Sequence, residues 1–242
     1  MAAKDLNAHP EKQLALDFLP EAVCSFNSFI AGDNEALLYH LKHLLTPASE
    51  RFFYLWGNKS CGKTHLLQAL YDRYKEDASV AYLPLDQVSG WMPEQLLSLE
   101  DATLLCIDDV HLLAGRRDWE QALFSLYNSI RDQGHTLVVS AHASPAACGW
   151  QLQDLQSRLA WGVSFQVKGL DDQGKIAALR QQALLRGIEL NLDAATYMVH
   201  HFSRDLSDMQ TMLDELDAHS LADQRRLTIP YIKHIFSNRS TH

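Results

Sequence analysis

The chain has 242 residues, of which 47% are hydrophobic and 21% are charged, and its formal net charge is -9. A chain of this length can bury a full hydrophobic core, and no apolar run approaches the roughly 18 residues that span a bilayer. The acidic balance opposes strong binding to duplex DNA, because affinity for phosphates comes from clustered Lys and Arg. Residues 1–10 lack the basic and apolar segments of a secretory signal, so we expect a soluble, cytoplasmic protein without a membrane partner.

The first residues show no sustained periodicity, which predicts a flexible tail over 1–24. Asp33 or Asn34 can then cap a helix whose leucines recur at helical spacing as far as Leu45. The continuous apolar run Phe52–Trp56 predicts a strand buried on both faces. After it the patterns alternate, with helices expected over 65–76 and 118–133 and strands over 80–85, 103–107, 136–140 and 165–167.

Alternation of strands and helices predicts the α/β class, with a parallel, doubly wound sheet that binds ligands at the carboxyl ends of its strands. The remaining chain has only helical patterns and predicts a small all-α domain. Its helices are expected over 171–185, 193–202, 205–222 and 230–236. We therefore divide the chain into a tail over 1–24, an αβα domain over 25–168 and a helical domain over 169–242.

Directly after the first predicted strand comes the pattern G-x-x-x-x-G-K-[ST], which arises by chance in on the order of one chain in a hundred. Its main-chain N–H groups can cradle phosphates at the start of a helix. We expect Lys63 to meet the β- and γ-phosphates and Thr64 to hold Mg²⁺. The alternative is an unused glycine turn. The predicted sites for a purine nucleotide, ADP or ATP, are Gly57, Asn58, Lys59, Ser60, Cys61, Gly62, Lys63, Thr64 and His65.

Two carboxylates end the apolar run Leu104–Ile107, which places Asp108 and Asp109 at the carboxyl end of a buried strand. We expect Asp108 to support the Mg²⁺ ion and Asp109 to orient or deprotonate the water that attacks the γ-phosphate. The alternative is a turn after a strand, where Asp is common.

These motifs resemble the AAA+ superfamily and, within it, the relatives of the bacterial initiator DnaA, over residues 26–236. The pattern F-x-x-F-x-x-G-x-N at 26–34 resembles a family motif that flanks adenine, and the resemblance implies nucleotide contacts at Phe29 and Ile30. The family has a nucleotide-sensing arginine in its lid, where the aligned residue here is Ser207, and Arg204 is a substitute. His142 stands where the family often has an acid, and we consider it as a second sensor.

Residues 155–162 resemble the family box that carries an arginine finger, which implies that Arg158 reaches the γ-phosphate held by a neighbouring protein. The alternative is a surface arginine paired with Asp154 one turn earlier. Nearby, Phe124 is expected to belong to the core rather than to a recognition surface.

DnaA proteins continue into a helix-turn-helix domain, whereas we expect none here because the chain ends at His242. It is more similar to the Hda family of DnaA-related regulators, which begin with a clamp-binding motif. The peptide at 13–18, QLALDF, resembles the Q-L-x-L-x-[LF] motif that docks on the replicative sliding clamp. The alternative is an apolar segment that folds back on the domain. The implied clamp contacts are Gln13, Leu14, Leu16 and Phe18.

The resemblance implies a negative regulator of replication initiation that stimulates hydrolysis of ATP bound to DnaA while it hydrolyses little or none itself. Its expected partners are DnaA and the DNA polymerase III beta sliding clamp, with DNA contacted only through the loaded clamp. Whether it forms a homo-oligomer stays open. Two alternatives also stay open: an autonomous AAA+ ATPase of the clamp-loader or remodelling type, and a helicase-loader-like protein.

Overall fold

The computed structural model describes residues 24–88, 90–202, 205–223 and 227–237. Contacts between residues divide the chain into two compact units. Of the described residues, the first unit contains those at 24–26, 37–57 and 63–166, and the second contains those at 27–36, 58–62 and 167–237. The middle of the predicted phosphate loop therefore groups with the second unit.

A five-stranded sheet forms the centre of the first unit, and every pair of neighbouring strands is parallel. The strands are β1 (Phe52–Trp56), β2 (Val80–Pro84), β3 (Leu104–Asp108), β4 (Thr136–Ala141) and β5 (Val163–Gln166), in the order β2-β3-β4-β1-β5. In β3 and β4 every residue is buried, as expected of parallel strands covered on both faces. The edge strand β5 instead alternates between half-buried and exposed residues.

Four helices precede or connect these strands: α1 (Glu35–Lys42), α2 (Lys63–Tyr74), α3 (Arg117–Asp132) and α4 (Gln153–Trp161). In α3, Trp119, Leu123, Leu126 and Ile130 recur at helical spacing and are buried in the core of the unit. The helix α1 ends at Lys42, so the prediction that it continues to Leu45 was wrong by about one turn.

The second unit contains α5 (Asp172–Leu185), α6 (Leu192–His201), α7 (Leu206–Asp223) and α8 (Ile229–Ser237). Asp171 caps α5 by accepting a hydrogen bond from Gly174 N–H at 2.7 Å, and Asn191 caps α6 through Ala194 N–H at 2.8 Å. A separate core stabilises these helices; its members include Leu179, Met198, Leu213 and Ile232.

The predicted α/β class, with a parallel sheet followed by a small all-α part, is confirmed. None of the helices in the described ranges is long and apolar enough to pass through a bilayer. All four cysteines are free thiols.

Candidate nucleotide-binding site

The P-loop begins at the end of β1 and leads into α2. Gly57 N–H donates a hydrogen bond to the carbonyl of Ala141 at 3.3 Å, which fixes the start of the loop to β4. Lys63 is only 7% exposed, and its Nζ donates to Gly57 O at 3.0 Å. The ammonium is thus held against its own loop, while Thr64 is exposed at the first turn of α2.

Gly62 has a φ of +101°, a conformation that strongly favours glycine. A Cβ atom at this position would lie 2.7 Å from the ring of Phe29, so the ring and the loop approach more closely than a side chain permits. The structure therefore brings together two residues that the sequence assigned to the nucleotide separately. Ile30, next in the chain, is half-buried.

Ser60 lies at the crown of the P-loop with a φ of +60°, which is uncommon for a residue other than glycine. Its hydroxyl lies 2.7 Å from the hydroxyl of Ser207 in the first turn of α7. The position aligned with the family's sensor arginine thus contacts the loop through a neutral hydrogen bond. Arg204, the alternative sensor, lies outside the described residues.

Asn34 was predicted as a possible helix cap, and the structure shows a different role. Its side-chain amide donates to the Lys168 carbonyl at 2.9 Å and accepts from the Lys168 N–H at 2.8 Å. The same amide nitrogen donates to Ala31 O at 2.9 Å. Asn34, the only polar residue among the fixed positions F, F, G and N of the adenine-flanking motif, therefore binds that motif to the chain just after β5.

Asp108 ends β3 with only 3% of its surface exposed. Its Oδ2 accepts a hydrogen bond from the Tyr82 hydroxyl at 3.2 Å, and its Oδ1 accepts one from the Ser140 hydroxyl. The carboxylate is thus held from both neighbouring strands, β2 and β4. The position of Asp108 followed from the sequence pattern, whereas neither hydroxyl group did.

Asp109 has a φ of +58°, and its N–H donates to Ser140 Oγ at 2.9 Å. Burial, followed by the adjacent Asp108 carboxylate, raises the pKa of Asp109 to about 6, although Lys63 opposes this. A carboxylate with this pKa can exchange a proton near neutral pH, as a general base requires. The backbone strain is of the kind that clusters at functional sites.

Two histidines lie beside Asp109. The rings of His111 and His142 contact each other edge to face, with centroids 4.2 Å apart, and His142 is exposed. Burial and then His142 lower the pKa of His111 to about 4, so this imidazole is neutral at pH 7. The Nδ1 atom of His111 lies 3.7 Å from Asp109 Oδ1. Because the imidazole is neutral, this contact is not an ion pair.

Thr64 and Asp108 provide the oxygen donors that Mg²⁺ prefers. This ion commonly needs only one or two protein carboxylates, because water and phosphate fill its other positions. Among the described residues no three His, Cys, Asp or Glu side chains are placed to hold a metal together. The donors present therefore suit an ion that arrives with a nucleotide.

The sequence matches two family models. Residues 21–166 match the bacterial DnaA ATPase domain, and residues 172–236 match the lid domain of Hda. The chain belongs to the family of bacterial DnaA ATPase domains. The second match adds an Hda-type lid, so the predicted resemblance is confirmed.

Solved structures with a similar fold include other members of the DnaA family. Domain III of the Thermotoga maritima initiation protein DnaA has a TM-score of 0.78 and 18% identity, and the match covers 91% of this chain and 98% of that one. AMPPCP-bound DnaA from Aquifex aeolicus has a TM-score of 0.69 and 20% identity over 83% of this chain and 66% of that one. Thermotoga maritima RuvB, a Holliday junction branch migration motor, has a TM-score of 0.62 and 14% identity, and the match covers 86% of this chain and 69% of that one. At these identities the likeness shows the fold alone.

In this member of the DnaA family, Arg158 lies in the last turn of α4. Its guanidinium carbon is 5.1 Å from the centre of the Trp161 ring, and the structure shows no ion pair with Asp154. Trp161 is 78% exposed. Phe124, predicted to be core, is half-buried and lines an open groove of about 420 Å³ together with Asp154, Ser157, Arg158 and Trp161.

Glu120, which no sequence pattern indicated, is completely buried in α3. Its carboxylate accepts hydrogen bonds from the N–H groups of Gly115 at 2.7 Å and Leu152 at 2.7 Å, and from Gln151 at 3.0 Å and 3.1 Å. Leu152 is the N-cap residue just before α4, and its apolar side chain cannot cap the helix. Glu120 therefore caps the Arg158 helix from a distance, a role that no local pattern indicates.

His65 uses its side chain elsewhere, because its Nε2 lies 3.0 Å from the Ser25 carbonyl oxygen. Burial lowers the pKa of His65, and the contact with Ser25 partly opposes that effect. A phosphate contact at this position would come from the main chain. The predicted clamp residues Gln13, Leu14, Leu16 and Phe18 lie outside the described residues.

Proposed function

We propose that this protein is a nucleotide-bound regulator of replication initiation that acts on a DnaA initiator. The observation that carries the proposal is the combination of a DnaA ATPase domain with an Hda lid in one chain. The DnaA homologue from Aquifex aeolicus is described as bound to AMPPCP. We infer that this chain likewise binds ADP or ATP through residues 57–64.

The nucleotide would lie with its phosphates on the P-loop and its base beside Phe29 and Ile30. Lys63 would exchange its hydrogen bond to Gly57 for one to a phosphate oxygen. Thr64 and Asp108 would hold Mg²⁺, which neutralises phosphate charge when bound. Asp109, with its pKa near 6, is the general base of whatever hydrolysis the protein performs itself.

Arg158 is the group we assign to the partner's nucleotide. It is half-buried on a helix that Glu120 caps, and its guanidinium contacts an exposed aromatic ring rather than a carboxylate. A cation that forms no ion pair with the residues the structure describes can be delivered to developing phosphate charge without first breaking one. Arg158 would thus stabilise the transition state of ATP hydrolysis on DnaA.

Tethering is assigned to the N-terminal peptide at 13–18, on the sequence motif alone. Leu16 and Phe18 would fill an apolar pocket of the beta sliding clamp, and Gln13 would hydrogen bond beside it. A clamp with several equivalent sites strengthens a weak peptide through effective concentration. We propose the domain boundaries accordingly, with the tail over 1–24, the AAA+ domain over 25–168 and the lid over 169–242.

The test is hydrolysis of radiolabelled ATP pre-bound to DnaA, in the presence of DNA-loaded clamp. We expect wild type to stimulate hydrolysis, and both Arg158→Ala and the double variant Leu16→Ala/Phe18→Ala to lose at least tenfold of that stimulation, since arginine fingers contribute about 10³–10⁵-fold. Arg116→Ala is a matched control, because Arg116 also lies over an indole ring, that of Trp119, at 4.9 Å. Unchanged ATP on DnaA with wild-type protein would exclude the regulator.

A second candidate is an autonomous ATPase, which Asp109 and its raised pKa favour. Multiple-turnover hydrolysis by the purified protein, lost in Asp109→Asn, would support this candidate. Turnover that is absent in wild type and variant alike would leave the regulatory role as the function.

A further inference from the structure

Two hydroxyl groups hold the Asp108 carboxylate, one on each side of β3. Tyr82 is two residues before Pro84, the register partner of Asp108, so Tyr82 projects from the same face of the sheet. Ser140 lies one residue beyond the Val139–Ile107 pair on the opposite side. The two donors therefore reach different carboxylate oxygens, Oδ2 and Oδ1. A planar group held at both oxygens cannot rotate.

Each hydroxyl is itself held by a second donor. The side chain of Gln68 also hydrogen bonds to Tyr82. Tyr82 donates its one hydroxyl hydrogen to Asp108, so the amide of Gln68 is the donor in this second bond. Asp109 N–H donates to Ser140 Oγ. Because each hydroxyl oxygen accepts one hydrogen bond, its own hydrogen is directed to Asp108.

Gln68 lies four residues after Thr64 on α2, so both residues share one face of that helix. A hydrogen-bonded path thus connects the helix that carries Thr64 to the Asp108 carboxylate. Thr64 and Asp108 are the two residues with oxygen donors for Mg²⁺. The path orients the Asp108 carboxylate relative to α2 through neutral groups, which do not cancel its charge.

We propose that Tyr82 is a positioning residue for the magnesium ion that accompanies the nucleotide. Its hydroxyl holds Oδ2 of Asp108, and the remaining lone pairs of the carboxylate would be available to the ion or to its water. Tyr82 is 2% exposed and its hydroxyl donates to Asp108, so in this proposal it acts through that carboxylate. The inference rests on nucleotide binding by the P-loop, and it is independent of Arg158 and of the clamp.

The experiment is a titration of full-length protein with a fluorescent ADP analogue, in EDTA and over a series of Mg²⁺ concentrations. In Tyr82→Phe we expect the affinity in EDTA to stay within about twofold of wild type. The Mg²⁺ concentration that produces half of the change in ADP affinity should rise by about tenfold. Loss of a residue that hydrogen bonds to a metal ligand typically weakens metal binding 10–100-fold. Tyr74→Phe is the matched control. Tyr74 lies in the same helix as Gln68, and its hydroxyl donates to Lys42 O at 2.9 Å, away from Asp108.

Equal Mg²⁺ dependence in wild type, Tyr82→Phe and Tyr74→Phe would overturn the inference. A parallel loss of affinity in EDTA would overturn it as well, because Tyr82 would then support the fold rather than the ion. If Tyr82→Phe does not fold, Gln68→Leu removes the outer donor at a half-buried position and should raise the Mg²⁺ requirement in the same direction. If wild type binds no nucleotide either in EDTA or in Mg²⁺, the proposed nucleotide binding itself is wrong. This result distinguishes failure of the proposed function from failure of the inference about Tyr82 alone.

Discussion

The hydroxyl of Ser60 in the P-loop lies 2.7 Å from the hydroxyl of Ser207 in α7. This hydrogen bond joins residues 147 positions apart and connects the crown of the loop directly to the lid helix. With a nucleotide bound on this loop, as proposed above, the contact would couple the phosphate-binding residues to α7. Because the contact is neutral, it transmits loop geometry rather than phosphate charge.

Ser207→Ala removes this hydrogen bond, and we expect ADP to dissociate about 2–10-fold faster, since one such bond is worth about 0.5–1.5 kcal/mol net. Stopped-flow release of a fluorescent ADP measures the rate. Thr211→Ala is the control, because its hydroxyl bonds only to Ser207 O one turn away on the same helix. If Ser60→Ala and Ser207→Ala had additive effects in the double variant, the two hydroxyls would not be coupled.

Gly62→Ala should destabilise the protein and weaken ADP binding, because the added methyl lies 2.7 Å from the Phe29 ring in a conformation that disfavours alanine. The backbone penalty alone is about 1 kcal/mol or more. Gly134→Ala is the control, because Gly134 has a φ of +71° but nothing within 4 Å of an added Cβ. It carries the backbone penalty without a steric clash, so the difference between the two variants measures the clash with Phe29. Urea unfolding and ADP titration compare the two. Identical losses in both variants would mean that the Phe29 contact contributes nothing.

Trp161→Ala should lower the stimulation of ATP hydrolysis on DnaA about 2–5-fold, because an exposed cation–π contact is worth about 0.5–1 kcal/mol. Trp161→Phe keeps an aromatic face and should retain most of the activity. Tyr39→Ala removes another aromatic side chain, 65% exposed on α1, and should have no effect. Full activity of Trp161→Ala would show that Arg158 needs no aromatic support.

Glu120→Gln should lower the free energy of unfolding by about 2–3 kcal/mol, because an amide nitrogen would replace one carboxylate oxygen among four N–H contacts. Urea denaturation at pH 7 measures the loss. The exposed Glu94 provides the control, and Glu94→Gln should change stability by less than about 0.5 kcal/mol. A matching midpoint for both variants would contradict the capping role of Glu120.

Asp109 makes the stability of the nucleotide-free protein depend on pH. Its pKa is raised from 3.8 to about 6, so between these values the unfolded chain has lost a proton that the folded protein keeps. Stability from this residue therefore falls as pH rises through that window and is constant above it. Asp109→Asn cannot ionise and tolerates the same positive φ.

The melting temperature of Asp109→Asn relative to wild type should consequently increase between about pH 4 and pH 6 and then level off. Differential scanning calorimetry in EDTA measures it without metal or nucleotide. A difference in melting temperature that is the same at pH 4 and pH 7 would show that the pKa of Asp109 is not raised.

Most elements of this fold follow from local pattern. The run Phe52–Trp56 is apolar throughout because β1 is covered on both faces. The P-loop was recognised from the fixed spacing of its two glycines and its lysine. The short 3₁₀ helix Pro93–Leu99 escaped prediction, since seven residues are too few for a helical period to emerge.

The sequence by itself determined the order and the type of the strands and long helices, where the P-loop lies and which carboxylates end β3, because hydrophobic periodicity and turn chemistry act over a few residues. Only the tertiary structure decided what supports them. The hydrogen bonds from Tyr82 to Asp108, from Leu152 to Glu120 and from Lys168 to Asn34 join residues 26, 32 and 134 positions apart. Such pairs depend on strand order, register and the approach of distant segments. Strand order, register and long-range contacts depend on how the whole core packs, so they cannot be predicted from a short stretch of sequence.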